Sequence, residues 1–427
     1  MIHTINNQPA ITGTHLNIGL FGFGVVGKGL YDVIQTNTGL SATISKICIK
    51  DPYKKRAIDK KYFTTNANEL LEDDNINLIV ELIDDAEAAY VIVKKALCTG
   101  KPVVSANKKM IADHLEELLQ LQQLHNTSFL YEAACCASMP IIRNLEEYYD
   151  NDMLISLHGI INGSSNFILT KIFNEGLSFR EALVEAQQLG FAESNPSLDI
   201  NGHDAANKLT ILIAHAFGLI INPREILFNG ISDLKKEDTS FAKEKKCRIK
   251  LIAHAQKTST GQLAAFVLPQ FVTEGDDLCN VSGEFNGIIT ESCFADKHFF
   301  KGRGAGSYPT AAAVLSDISA LRYGYKYEYK KCRQPGRIEL TKDYFLKIFI
   351  SAQDITRIPK EKFEWIDEWH NEFNYSWAIG VMNASHLFEG NWWRINDMSL
   401  ILCADPFLEN IDYKKIGRKS LELAGVL

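Results

Sequence analysis

Several features that would have narrowed the function of this chain are missing from it. No apolar stretch is long enough to cross a bilayer. The longest, Leu209 to Ile221, is interrupted by His215 and falls short of the ~20 residues a spanning helix needs. None of the nine cysteines sits in a CxxC pair, so neither a zinc site nor a disulfide framework is suggested. Positive charge is not in excess: 45 Lys and Arg against 52 Asp and Glu leave a net charge of −7, which argues against a surface for nucleic acid or anionic membrane. The segment Met1 to Thr14 has no basic n-region and no apolar h-region. No secretory signal is therefore expected, and a reducing cytoplasm is the expected setting. Internal repeats and low-complexity linkers are absent too. What remains is an ordinary globular composition, 46% apolar and 23% charged over 427 residues, which suggests two or three domains.

The first third alternates short apolar runs with helical patterns. Strands are expected at His15 to Phe21, Thr43 to Ile49, Leu78 to Ile83, Pro102 to Val104 and Phe129 to Tyr131, and helices at Val25 to Asn37, Ala86 to Thr99 and Lys108 to Leu124. Strands separated by helices imply crossover units and a parallel sheet. From about Asn151 the pattern changes. Leu154 to Ile161, Cys247 to Ala255, Leu263 to Val272 and Gly287 to Phe294 read as strands without regular crossover helices. Arg180 to Leu189 reads as a helix, with Ser178 and Glu181 in a capping-box pattern and Gly190 as its stop. Asp204 to Ala216 is another helix, and a further one runs from Tyr308-Pro309-Thr310 through Leu321. All five tryptophans lie late (Trp365, Trp369, Trp377, Trp392 and Trp393), which suggests a separately packed C-terminal region after about Asp343 with an aromatic core.

Gly22-Phe23-Gly24-Val25-Val26-Gly27 follows a strand and opens a helix. Gly22 permits a tight turn, Gly24 lets backbone approach a pyrophosphate, and Gly27 lets helix and strand pack closely. The helix N-terminus supplies free N–H groups to the phosphates. The second strand ends Cys48-Ile49-Lys50-Asp51, with Lys54, Lys55 and Arg56 following. An acid there favours NAD and a cation favours the 2′-phosphate of NADP. Both are present; the basic run leans toward NADP, with a solvated loop as its bland explanation.

Glu193, Asp199, Asp204 and Lys208 crowd one segment, and Asp204 and Lys208 are four apart at a helix start, so they share a face. Alone, such a pair is more often an exposed salt bridge than catalytic machinery. The sequence is more specific than that pair. The glycine fingerprint, Ser105-Ala106-Asn107-Lys108, the segment Tyr131 to Pro140, the segment Gly159 to Leu169, Glu185-Ala186-Gln187 with the acids, and Gly302 to Ala311 follow one another in order. In that order they resemble the homoserine dehydrogenase family from about Ile18 to Leu321.

The resemblance implies an α/β fold: a Rossmann-type dinucleotide-binding domain over 15–140 completed by a helix around 304–325, an α+β substrate and dimerisation domain over 141–303, and a small α+β C-terminal region over 340–427 resembling a degenerate regulatory domain. It implies NAD(P)H-dependent, reversible reduction of L-aspartate 4-semialdehyde to L-homoserine, on the route to threonine, methionine and isoleucine, in a homodimer or homotetramer. Alternatives are a related dehydrogenase acting on another small amino-acid aldehyde, or a silent dinucleotide-binding regulator. By resemblance Lys208, Lys108 and Asp204 are catalytic, and Glu193, Asp199, Asn162, Gly163 and Ser164 bind substrate. Gly22, Gly24, Val25, Val26, Gly27, Lys50, Asn107, Lys108, Gly304 and Ala305 hold the dinucleotide. Backbone around Glu132, Cys135 and Ala137 matches a loop that in the family binds a monovalent cation, usually sodium. The implied spatial arrangement brings the two lysines together beside the nicotinamide.

The sequence also departs from the family pattern. Asp84-Asp85 stand where glycines are common, and Ala137 and Ser138 replace two usual glycines, which costs stability if those positions need positive φ. Asn195 stands where an acid is common. Cys135 and Cys136 read as small buried hydrophobes rather than nucleophiles, and His158 and His203 as bystanders. The usual glycine turn is missing around Asp354 to Pro359, so feedback regulation by threonine is not expected.

Overall fold

The computed structural model describes residues 15–36, 39–150, 153–334, 336, 338–390, 392–395 and 398–408. The expected helix end at Asn37, the change of pattern at Asn151 and the segment Met1 to Thr14 lie outside the described residues. The chain divides into two compact units. One holds the residues up to Asp150 together with Gly302–Arg333, and the other Asn151–Lys301 together with the residues from Gln334 on.

In the first unit six strands form one sheet: β1 (Leu16–Phe21), β2 (Ala42–Cys48), β3 (Phe63–Thr64), β4 (Leu78–Glu81), β5 (Val103–Ser105) and β6 (Phe129–Leu130). Their order is β3-β2-β1-β4-β5-β6, and every pairing is parallel. Parallel strands covered on both faces read as continuous apolar runs, which is why β4 and β5 are buried throughout. Helices α1 (Val25–Thr36), α2 (Ala86–Cys98) and α3 (Lys108–Leu124) make the crossovers. The strand order reverses beside β1, whose neighbours are β2 and β4. Ligands of open α/β sheets bind at the carboxyl ends of the strands at such a switch point. A later helix, Ser307–Leu321, packs on α1. A Cβ at Gly29 would lie 2.4 Å from Ser307 Oγ, so the glycine permits that close approach.

The second unit is built on a ten-stranded sheet. Its strands are β7 (Leu154–Ile160), β8 (Leu227–Phe228), β9 (Cys247–Lys257), β10 (Leu263–Thr273), β11 (Phe285–Ser292), β12 (Asp296–Arg303), β13 (Phe345–Ala352), β14 (Trp365–His370), β15 (Ser376–Asn383) and β16 (Ser399–Leu408). The path runs β12-β11-β7-β9-β10-β16-β13-β15-β14, with β8 beside β10. Four helices of this unit bear on the site or the sheet: α4 (Gly163–Glu175), α5 (Phe179–Gln188), α6 (His203–Phe217) and α7 (Lys236–Glu244). Both halves of the Ser178–Glu181 capping box form at the start of α5.

The tryptophan-rich region does not stand apart as a sheet of its own. Strands β13 to β16 lie in the order β16-β13-β15-β14, all antiparallel. That is the ferredoxin-like β-α-β-β-α-β pattern, with the first helix reduced to short turns at Ile355–Arg357 and Lys360–Lys362. β16 then pairs in parallel with β10 at Gln270 and Leu402, extending the sheet. The tryptophans serve the core as expected: Trp393 is fully buried among Leu346, Ile348 and Met382, and Trp377 stacks on Phe349.

Candidate active site

The fingerprint forms the turn from β1 to α1. Gly22 has φ of 92°, a backbone that L side chains rarely adopt, and a Cβ there would meet Leu82 O at 2.5 Å. A Cβ at Gly27 would meet Gly22 O at 2.3 Å. Gly24 is different: its missing Cβ has nothing within 4 Å. Gly22 and Gly27 are thus glycines for the fold, whereas Gly24 leaves space for a ligand against the first turn of α1. Val25, at that turn, is 71% exposed, and its carbonyl accepts from Ser307 Oγ, just after Gly304 and Ala305. The space at Gly24 and the N–H groups of the turn fit a dinucleotide pyrophosphate.

Lys50 and Asp51 are exposed just past β2. Arg56 is tied back onto its own loop, donating to the Asp51 and Lys54 carbonyls. On the other side of β1, Asp85 is the N-cap of α2, accepting from Ala88 N at 3.1 Å. The acid that replaces a usual glycine therefore has a structural task there. Asn107 caps α3 in the same way, accepting from Met110 N at 3.0 Å, so Lys108 is the first residue of that helix.

In the second unit the expected acids and lysine gather at Asn162. Gly202, with φ of 84°, makes a left-handed turn between the short helix Ser197–Ile200 and α6. That turn presents Asp199 and Asp204 to one side chain. Asn162 donates through Nδ2 to Asp199 Oδ1 at 2.7 Å and to Asp204 Oδ2 at 2.8 Å. Its Oδ1 accepts from Ser165 N, capping α4. Lys208 lies one turn beyond Asp204 on α6, with Nζ 2.7 Å from Asp204 Oδ2 and 3.0 Å from the Ile161 carbonyl. Asp204 and Lys208 are buried, 4% and 7% exposed. That separates this pair from the solvated salt bridge its spacing alone would suggest. With two acids and one lysine, the formal charge of the cluster is one negative, which suits an ammonium group.

Gly163 opens α4 where a Cβ would meet Glu284 O at 2.8 Å, and Ser164 Oγ donates to the Phe191 carbonyl at 2.5 Å. Glu193 is not drawn into the cluster. It is exposed, and its carbonyl accepts from Gln187 Nε2.

Comparison with known proteins matches residues 140–319 to the family model described as homoserine dehydrogenase, and residues 22–132 to that described as homoserine dehydrogenase, NAD binding domain. The homoserine dehydrogenase of Helicobacter pylori is 36% identical over 352 residues, covering 79% of this chain and 82% of its own length. That of Bacillus subtilis is 35% identical over 315 residues, 72% of each chain. The chain belongs to the homoserine dehydrogenase family. Family members are NAD(P)-dependent oxidoreductases acting on a CH–OH group. Among solved structures, a homoserine dehydrogenase from Thiobacillus denitrificans matches with a TM-score of 0.80 at 29% identity, covering 91% of this chain and 98% of that one. A hyperthermophilic archaeal homoserine dehydrogenase mutant in complex with NADPH matches with a TM-score of 0.60 at 26% identity, covering 73% of this chain and 99% of that one. The Rossmann-type unit of this homoserine dehydrogenase relative is accordingly a site for a nicotinamide dinucleotide.

The loop after β6 is buried at Glu132, Cys135, Cys136 and Ala137, and the two cysteines pack as small apolar groups. The Glu132 carboxylate accepts from the N–H groups of Ile142 and Arg143 at 2.8 and 3.0 Å. Burial and the neighbouring Asp317 push its pKa up to about 8. Positive φ occurs at Cys136 (55°) and Ala137 (42°). Of the two replaced glycines, Ala137 therefore carries backbone strain and Ser138 does not, while Cys136 shares it.

Two site residues have no signal in periodicity or motif. Asn286 on β11 is fully buried and donates to the Ile161 carbonyl at 3.3 Å, the same oxygen that accepts from Lys208. Glu81, at the end of β4, is the second; a charged residue closing an otherwise apolar strand is the one sequence hint to it. No helix among the described residues is long and apolar enough to cross a membrane.

Proposed function

We propose that this protein reduces L-aspartate 4-semialdehyde to L-homoserine with NADPH, reversibly, with Lys208 and Asp204 as its central catalytic pair. The observation that carries the reading is the buried Lys208–Asp204 pair, tied through Asn162 to Asp199. The bound nicotinamide supplies the hydride. Negative charge develops on the aldehyde oxygen as it is reduced and needs a cation or proton donor aimed at it. Lys208 Nζ fills that role, with Asp204 Oδ2 and the Ile161 carbonyl fixing its direction. Lys108 is proposed as the second lysine, acting from the first turn of α3. The substrate ammonium is assigned to Asp199 and Glu193, and its carboxylate to N–H groups at Asn162, Gly163 and Ser164. NADPH oxidation on adding the semialdehyde tests the reading; cofactor binding without turnover would overturn it.

The turn of Gly22, Gly24, Val25, Val26 and Gly27 is assigned to the pyrophosphate, with Gly22 and Gly27 shaping it and Gly24 leaving the space, and Asn107, Gly304 and Ala305 are assigned to the rest of the dinucleotide. Lys50 is assigned to the NADP 2′-phosphate: Lys50→Ala should weaken NADPH more than NADH in parallel titrations, and equal weakening would remove it. A monovalent cation, sodium by the family resemblance, is assigned to the backbone at Glu132, Cys135 and Ala137. Replacing sodium by choline should lower activity, and an unchanged rate would remove the assignment. The assembly is inferred to be a dimer or tetramer, which light scattering measures directly. The domains are assigned as a dinucleotide domain over 15–140 with the 304–325 helix, a substrate and dimerisation domain over 141–303, and a C-terminal region over 340–427.

A further inference from the structure

Glu81 is fully buried at the carboxyl end of β4, beside the switch point of the sheet, and its hydrogen-bond partners are neutral. Its Oε1 accepts from Ile83 N at 2.7 Å and its Oε2 from Ser105 Oγ at 2.6 Å. Ser105 Oγ in turn accepts from Asn107 N at 3.1 Å. Asn107 Nδ2 donates to the Ile83 carbonyl at 3.0 Å. These four bonds close a ring. The ring joins the loop after β4 to the loop after β5 and sets the orientation of Asn107, the cap of α3, and so of Lys108 beside it.

A buried carboxylate held by neutral partners is costly, and proteins tolerate such groups chiefly where they do something. We propose that Glu81 is a positioning residue: while ionised, it closes the ring that holds Ile83, Asn107 and Lys108 in the geometry that receives the nicotinamide dinucleotide. The proposal deepens the dehydrogenase reading and rests on it.

The donors and acceptors say why ionisation matters. Ile83 N–H and Ser105 O–H both donate to Glu81. A protonated carboxyl would reverse the Ser105 link, taking the acceptor from the Ser105 hydroxyl hydrogen, and would leave the Ile83 N–H with an uncharged and weaker acceptor. Burial, opposed by the Ser105 and Ile83 hydrogen bonds, pushes the Glu81 pKa up to about 7, with a smaller upward contribution from Asp84. From the flanking strands the residues opposite Glu81 are Phe21 and Ser105, neither of which titrates in this range; Lys108 and Lys109 open α3 nearby in sequence. The ring is therefore held most tightly above about pH 7 and loosens as pH falls through it.

Glu81→Gln is permanently neutral and places a donor where the carboxylate accepts. The first measurement is amide hydrogen exchange on the ligand-free protein, comparing peptides that cover Ile83 and Asn107 in wild type and in Glu81→Gln at the same pH, so that intrinsic exchange cancels. At pH 8.5 the wild type should exchange about tenfold more slowly than the variant, and at pH 6 the two should converge, since a shift of one pKa unit corresponds to about tenfold. NADPH affinity, read by fluorescence titration, should follow: weaker at pH 6 than at pH 8.5 in the wild type, and flat with pH in Glu81→Gln. A purely structural role would leave the exchange ratio the same at both pH values, and that result overturns the proposal. So does an exchange ratio that changes with pH while NADPH affinity does not. If Glu81→Gln does not fold, Ser105→Ala decides. It removes two of the four links, so the ring cannot form: exchange at Ile83 and Asn107 at pH 8.5 should rise about tenfold over wild type, and the pH dependence of NADPH affinity should be lost; a variant that keeps the wild-type exchange and pH dependence overturns the proposal. Absence of semialdehyde turnover in the wild type would count instead against the dehydrogenase reading, because the exchange measurement needs no substrate.

Discussion

Asp204 Oδ2 accepts from both Lys208 and Asn162, so one oxygen holds the lysine and the cap of α4 together. Asp204→Ala should therefore destabilise the protein by about 3 kcal/mol, because it strands a buried ammonium. Urea denaturation measures this, and a loss below about 1 kcal/mol would mean that Lys208 finds water instead. In the other unit, Ala137 holds a φ of 42° without being glycine. Ala137→Gly should raise stability by about 0.5–1 kcal/mol, the left-handed strain relieved less the entropy that glycine adds to the unfolded chain; a lower unfolding midpoint would contradict the strain. At this scale the sequence was informative where chemistry is local. The i, i+4 spacing of Asp204 and Lys208 put them on one face, and the same spacing left open whether that face was wet. Burial decides the matter, and burial depends on Asn162, forty-two residues earlier in the chain. Glu193 stays exposed and outside the hydrogen bonds that join Asn162, Asp199, Asp204 and Lys208, so its part in binding the ammonium waits on the substrate.

At the scale of elements, the fingerprint glycines separate by what their missing Cβ would meet. Gly27→Ala would drive a methyl into Gly22 O, so it should lower the unfolding temperature and with it NADPH binding. Gly24→Ala faces open space; it should keep the wild-type unfolding temperature and weaken NADPH about tenfold or more, since the methyl fills the space a pyrophosphate needs. Thermal unfolding and fluorescence titration distinguish the two, and a Gly24→Ala protein that binds normally would remove the ligand from that turn. The alternation of strands and helices in the first unit was legible because most of its parallel strands are short apolar runs separated by helical patterns, and two of the three crossover helices carry side-chain caps, at Asp85 and Asn107. The two-residue β3 was not, since two residues carry no period. Nor was the continuation of the sheet from β10 into β16: it rests on a single residue pairing between segments more than a hundred residues apart.

For the whole molecule, one part of the response to acid follows from two histidine rings packed together in the large sheet. His158 and His254 sit opposite each other on β7 and β9, their ring centroids 5.3 Å apart. Burial holds both neutral, at about 4 and about 3 against an ordinary 6.5. A histidine whose folded pKa is lowered contributes stability that is present above the unfolded value and lost as pH falls toward the folded one. Between pH 8 and pH 4.5 the wild type should lose about 3 kcal/mol through His254 alone. His254→Phe, beside Phe266 on which the histidine already stacks, should lose correspondingly less in urea titrations at the two pH values; parallel losses would mean the ring is not kept neutral. The family and the class of fold were readable because six separate motifs occur in order. How those motifs assemble into a lysine held by acids was not, because that depends on side chains meeting across loops.

The most direct test of the account is the rate of NADPH oxidation driven by L-aspartate 4-semialdehyde, in the wild type and in Lys208→Ala, with NADPH affinity measured on the same samples. The wild type should turn over, and the variant should lose about 10²–10⁴ in kcat with its NADPH affinity unchanged. A variant that keeps most of its rate, or a wild type that binds NADPH and leaves the semialdehyde untouched, would contradict it.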